Sequence, residues 1–157
     1  LLPSFRISLD YHKYMFTKKQ IHPVSEYIFK NSSSTDTIFV WGFADYYYVE
    51  SQRMPASRYN YCNFLTGMIC WTNHHPRINT DYAIIPGAWE HFLREMEENK
   101  PKFIVDTSPA NLWNFGKYPM SRYPALSKII KDYYILDPYF SGNKHPNNVT
   151  IYVRTSN

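Results

Sequence analysis

Apolar and polar positions along the chain fall into segments of two kinds. Thr37-Ile-Phe-Val-Trp41 and Lys102-Phe-Ile-Val-Asp106 are near-continuous apolar runs rich in β-formers. Such runs read as strands buried on both faces, the pattern of a parallel sheet under helices. Val149-Thr-Ile-Tyr-Val153 alternates and predicts a final strand antiparallel to its neighbour. Shorter strands are expected over 57–62 and 133–136. Helical spacing appears behind three prolines. Val24, Tyr27 and Ile28 follow Pro23 and predict a helix over 23–31. Trp89, Phe92, Leu93 and Met96 follow Pro86 and share one face, with Glu90, Arg94, Glu95, Glu97 and Glu98 facing water. Leu126, Ile129 and Ile130 follow Pro124. The aromatic stretch 43–51 is read as a further helix.

Polar clusters separate these elements. Asn31-Ser-Ser-Ser-Thr-Asp36 is a stop and turn, Asn99-Lys-Pro101 ends the second long helix, and Asp137-Pro138 opens a polar loop reaching Asn148. Residues 63–85 lack a clean period, and connections of that length are usually functional or mobile. Residues 1–20 show no sustained period and read as a lead-in, leaving 21–157 as one domain. Alternating strands and helices predict an α/β three-layer sandwich, with a Rossmann-like, mainly parallel sheet and an antiparallel C-terminal strand.

Composition narrows the function classes. At 157 residues the chain can bury a core without covalent staples. The net charge of +4 is scattered, without a Lys/Arg run, so nucleic acid is not an expected partner. No apolar run reaches the length of a membrane span, and no signal-peptide pattern is present. The chain opens on Leu1, which suggests a piece of a longer protein. Cys62 and Cys70 could close a small ring in an oxidising compartment, or stay as two buried thiols.

Most chemical signatures are missing. The five glycines are isolated and form neither GxGxxG nor GxxxxGK[ST], so no backbone loop is built to wrap a pyrophosphate. No serine sits in GxSxG, and Ser108 reads better as a turn residue. His91 and Glu95 are spaced i,i+4 but make at most half a metal site, and read as a solvated helical pair. His74-His75 reads as surface loop. No metal or cofactor is therefore expected.

Two constellations remain. Ligands of open α/β sheets gather beyond the carboxyl ends of the strands. The first strand delivers Asp45 there and the third delivers Asp106, a pair suited to sugar hydroxyls or to acid/base work. The structural alternatives are a helix cap for Asp45 and a turn for Asp106. Arg53 and Arg58 flank Met54-Pro55-Ala56-Ser57 and could both reach one anion. Alternatively, each pairs with an acid such as Glu50 or stacks on a tyrosine.

Several of these residues also carry a resemblance. Asp36-Thr-Ile-Phe-Val-Trp-Gly42, Tyr46-Tyr47-Tyr48, Ser51-Gln-Arg53 and Pro55-Ala-Ser-Arg58-Tyr59 resemble, in that order, the soluble tail of bacterial dolichyl-phosphate-mannose–protein mannosyltransferase-like (ArnT-like, GT-C class) membrane glycosyltransferases. The run Phe92 to Asp106 and the closing Ile151-Tyr-Val-Arg154 are similar to later parts of such tails. The likeness spans roughly residues 20–154. Residues 63–85, with Cys70 and the adjoining Cys62, depart from the pattern. The resemblance implies a non-catalytic extracytoplasmic (periplasmic) domain at the cell membrane. Its partner would be the transmembrane part of the same polypeptide, which transfers sugar from a polyprenyl-phosphate donor to an acceptor. No catalytic residue carries over, since that family's catalytic acid lies in a membrane loop. Under this reading Arg53 and Arg58 bind anions, and Asp45, Tyr46, Asp106 and Trp113 line a polar-aromatic ligand surface. Two alternatives are a free-standing carbohydrate or small-ligand binding module, and a soluble enzyme using Asp45 and Asp106 as an acid-base pair.

Overall fold

The computed structural model describes residues 21–69, 72–73, 75–139 and 148–155. The expected lead-in over 1–20, Cys70, His74 and most of the polar loop before Asn148 lie outside the described residues. The elements are α1 (Pro23–Lys30), β1 (Thr37–Trp41), α2 (Tyr46–Ser51), β2 (Met54–Pro55), α3 (Asn63–Thr66), α4 (Ala88–Asn99), β3 (Phe103–Asp106), α5 (Pro124–Tyr133), β4 (Tyr134–Leu136) and β5 (Thr150–Arg154). Short 3-10 turns sit at Asp81–Ala83, Leu112–Lys117 and Met120–Arg122.

The five strands form one mixed sheet in the order β2-β1-β3-β5-β4. β1 pairs in parallel with β2 and β3, and β5 runs antiparallel to both β3 and β4. The α/β class and the antiparallel last strand agree with the sequence pattern. The apolar runs behave as expected, since all four residues of β3 and the last four of β1 are buried. Their side chains alternate between two core clusters. Phe39, Trp41 and Ile104 join Phe92, Met96 and Leu126 from α4 and α5. Ile38, Val40, Phe103 and Val105 join Val24 and Ile28 of α1 and Tyr47 and Tyr48 of α2.

Local chemistry explains the boundaries. Pro23 occupies the first turn of α1, and His22 Nδ1 accepts from the Val24 N–H at 3.2 Å. Asp36 closes the following turn by accepting from Ser33 N at 2.7 Å, and Lys102 Nζ lies 3.4 Å away, which fastens the starts of β1 and β3. Tyr48 reaches back from α2, so that its hydroxyl accepts from Val40 N at 2.8 Å. Trp41 Nε1 donates to Tyr118 O at 2.7 Å inside the opposite cluster.

Three expectations need correction. The second strand is not 57–62 but the two residues Met54–Pro55, because the chain leaves the sheet once Ala56 N has bonded Ile38 O. Proline in β2 is tolerated at this sheet edge, where its missing N–H breaks no interior ladder. Glu95 does not face water. It follows Phe92 by three residues and precedes Met96 by one, which turns it onto the buried side of α4. Finally, the described part of 63–85 is anchored. Leu65 and Met68 are in the core, Trp89 Nε1 donates to Leu65 O at 3.0 Å, and Thr80 Oγ1 donates to Thr66 O at 2.6 Å.

Arg53 is the main polar fastener of the α1–α2 side. Its guanidinium is buried and donates all five N–H groups to protein acceptors. Nε goes to Ser32 Oγ, Nη1 to the carbonyls of Ser51 and Gln52, and Nη2 to those of Phe29 and Ser32. It also lies 5.3 Å over the Phe29 ring. Removing it strands several acceptors at once. Arg53→Met is expected to lower stability by about 3 kcal/mol, read as a lower urea midpoint with unchanged slope. An unchanged midpoint would mean that water replaces the guanidinium at no cost.

Candidate functional site

The carboxyl ends of β1 and β3 form a rim, because the two strands are parallel and Trp41 stands in register with Asp106. Beyond this point the two backbones approach closely. Thr107 donates to Trp41 O through its N–H at 3.1 Å and through Oγ1 at 2.8 Å. Gly42 adopts φ 143°, and a Cβ there would stand 1.9 Å from Thr107 Oγ1. Only glycine fits this exit. The Gly42 N–H, turned inward, donates to Cys62 Sγ at 3.3 Å.

Asp106 is the chemically distinctive group of the rim. It is only 6% exposed, and its Oδ1 accepts from Ser108 N at 2.9 Å. That bond is the turn-closing role considered from sequence. Burial pushes its pKa up to about 6, and bonding to Ser108 opposes the shift only in part. The carboxyl is thus half-protonated near pH 6 and mostly ionised at neutral pH, which leaves both forms within reach of a proton-exchanging group. Cys62 and Tyr152 both titrate higher chiefly because they are buried, and the Asp106 charge adds to each shift. Cys62 itself is a free, fully buried thiol whose Sγ donates to Val40 O at 3.6 Å. Burial drives its pKa far up, which keeps it un-ionised and a poor nucleophile. The partner proposed for it in a ring, Cys70, lies outside the described residues.

Asp45 follows β1 at the same end of the sheet, but no bond joins its carboxylate to Asp106 among the described residues. It is the N-cap residue of α2 yet makes no side-chain cap bond. Instead its Oδ2 accepts from the Tyr61 hydroxyl at 2.6 Å. Tyr46 begins α2 and packs with its ring centroid 4.4 Å from Tyr47 and 5.8 Å from His22. Trp113 is 58% exposed on the loop leaving the rim after β3. There Asn111, Trp113 and Asn114 all have positive φ, between 49° and 63°. This left-handed backbone is uncommon for non-glycine residues and costs roughly 1 kcal/mol apiece. Asn111 Oδ1 helps hold the turn by accepting from Gly116 N at 2.8 Å.

The two arginines do not converge on one anion. Arg53 has every donor engaged inside the protein, and its acceptors are carbonyls and a hydroxyl rather than Glu50. Glu50 accepts instead from His22 N and Ser25 Oγ. Arg58 pairs through Nε with Glu95, which also accepts from Ser57 Oγ at 2.7 Å and Arg58 N at 3.0 Å. Burial raises the Glu95 pKa, but these bonds outweigh it and hold the carboxyl below its ordinary range. Glu95 therefore belongs to this network and not to a solvated pair with His91. The i, i+3, i+4 spacing of Phe92, Glu95 and Met96 carried that information.

Among the described residues no group of three His, Cys, Asp or Glu is arranged to hold a metal ion, and no helix is long and apolar enough to cross a membrane. Comparison with protein-family models, curated proteins and solved structures finds no match for this chain.

The Asp106 shift has a definite sign. The folded protein keeps this proton up to about pH 6, whereas the unfolded chain releases it near the ordinary 3.8. The group therefore favours folding at low pH, and that contribution is lost as pH rises from about 4 to about 6. Asp106→Asn cannot ionise, so its stability relative to wild type should climb through this window, reaching about 3 kcal/mol at pH 7. Urea midpoints of the two proteins across that range test it. A difference that does not vary with pH would show that Asp106 titrates normally.

Proposed function

We propose that this chain is a non-catalytic extracytoplasmic domain of a polytopic membrane glycosyltransferase of the dolichyl-phosphate-mannose–protein mannosyltransferase-like class. There it assists binding of the polyprenyl-phosphate donor or the acceptor glycan. In this reading the mixed sheet with helices on both faces is a three-layer, Rossmann-like sandwich, and residues 21–157 form the domain. Residues 1–20 lead to the transmembrane part of the same polypeptide.

One observation supports the reading above others: residues that carry the resemblance have structural work. Asp36 fastens the strand starts, Trp41 and Tyr48 each make a buried hydrogen bond within one of the two cores, and Gly42 allows the strand exit. Arg53 clasps four carbonyls, and Arg58 neutralises Glu95. Segments of this kind specify a scaffold rather than a reaction centre. What the scaffold offers a ligand is the rim, with Asp45 held by Tyr61, and the exposed Trp113 ring on the loop that follows Asp106. Aromatic faces beside carboxylates suit sugar rings, which present C–H groups on one side and hydroxyls at the edge.

A second reading is favoured by Asp106 alone. A carboxyl titrating at about 6 at the end of a parallel strand is suited to acid–base chemistry, with Asp45 as the companion group.

The two readings separate by experiment. In the membrane protein carrying this domain, deleting residues 21–157 is expected to reduce sugar transfer about tenfold or more by weakening substrate binding. The isolated domain is expected to turn over no polyprenyl-phosphate sugar. Unchanged transfer after deletion would remove the assisting role. Activity in the isolated domain that Asp106→Asn abolishes would establish the second reading instead.

A further inference from the structure

A pocket of about 480 Å³ lies at the other end of the sheet, lined by Met96, Glu97, Lys100, Ile129, Tyr133 and Arg154. It forms where the end of α4, the last turns of α5 and the last residue of β5 meet. Its position opposite the rim follows from the ladder. Arg154 pairs with Tyr134, and its N–H donates to Lys102 O, just before β3 begins. The volume lies within the usual range for small-molecule sites.

Arg154 is the organising group. Its guanidinium carbon stands 5.1 Å from the Tyr133 ring centre and 5.5 Å from that of Tyr134. Nη1 contacts the Tyr134 hydroxyl at 3.3 Å, and among the described residues no carboxylate pairs with it. The remaining N–H groups have no protein acceptor there. Arg53, by contrast, has all five occupied. Two aromatic rings thus hold a guanidinium in place while leaving its donor edge open, so little order remains to be imposed on binding. Lys100 likewise makes no ion pair among the described residues. Beside these cations lies an apolar surface, made of the buried Met96, the half-buried Ile129 and the ring of Tyr133.

Charge selects the ligand. Arg154 and Lys100 are opposed by Glu97, leaving one net positive charge in the lining. The carbonyls at the end of α4 add partial negative charge on the same side. A single acid group matches this balance, and a dianion such as a phosphate monoester does not. The planar fork of a guanidinium fits a carboxylate in a two-bond arrangement. We propose that this pocket binds a small monocarboxylate, with its acid group on Arg154 and an aromatic or alkyl body on Met96, Ile129 and Tyr133. This site is independent of the rim and of the membrane-enzyme reading.

The test is a nitrogen–proton correlation NMR titration of the 157-residue chain with phenylacetate and hexanoate. Acetate, phenylethanol and phenyl phosphate serve as comparisons. Saturable shifts confined to residues around 96–102, 129–134 and 152–155 are expected, with phenylacetate and hexanoate binding about tenfold tighter than acetate or phenylethanol. Arg154→Gln should weaken phenylacetate about tenfold, and so should Arg154→Lys, which keeps the charge but loses the fork. Glu97→Gln, an exposed change on α4, should tighten it about threefold by removing the opposing carboxylate. The proposal is overturned by an absence of saturable shifts or by equal response to phenylethanol. It is equally overturned if phenyl phosphate binds more tightly than phenylacetate, or if both Arg154 variants, folded by their spectra, bind phenylacetate as wild type does.

Discussion

The close passage of β1 past β3 at Gly42 and Thr107 governs the upper half of this molecule. A Thr107 hydroxyl bonded to Trp41 O leaves no room for a side chain at Gly42. The same contact rotates the Gly42 N–H toward Cys62, and so fixes where the chain returns after β2. It also draws Asp106 under cover, since Asp106 immediately precedes the residue that makes the contact. The raised pKa of Asp106 is thus a consequence of backbone packing at the strand exits. A looser exit would admit water, and the carboxyl would ionise as it does in solution.

Polar groups inside the fold follow two different arrangements. Arg53 is surrounded by carbonyl oxygens, partial charges that are already fixed by α1, the turn after it and α2. Glu95 is surrounded by donors, with one full positive charge among them at the surface. In both cases a long charged side chain is held by acceptors or donors that the backbone path presents at no extra cost in order. Arg154 shows a third arrangement, in which two rings and a single hydrogen bond to the Tyr134 hydroxyl hold the charge. That difference separates an arginine that builds the scaffold from one that remains available.

The sheet was readable in the sequence where burial was two-sided. Thr37–Trp41 and Phe103–Asp106 are central strands, and their uninterrupted apolar runs announced them. The prolines at the starts of α1 and α5 marked those helices for a similarly local reason. β2 was misplaced because two residues leave no periodic trace, and its pairing comes from Ile38 on the neighbouring strand. The rim was legible only in part. Parallel strands predicted that Asp45 and Asp106 share an end of the sheet, but not that Tyr61, sixteen residues on, would hold Asp45. The destination of Arg53 was equally non-local, since its acceptors lie on Phe29 and Ser32 as well as on its own turn. Side-chain partners across such distances depend on the folded path, which residue type alone does not specify.

β5 is the last described strand in the chain, yet it lies between β3 and β4. Until residues 150–154 have been made, β3 keeps an open hydrogen-bonding edge and β4 has no strand to join. The sheet therefore cannot be completed progressively as the chain emerges. Its parallel half can form first, but closure waits for a segment inserted into the interior. During that interval the growing polypeptide carries a central strand with one edge unpaired, a state in which that edge is open to pairing with another chain. The order of strands in space thus sets a period of vulnerability in time.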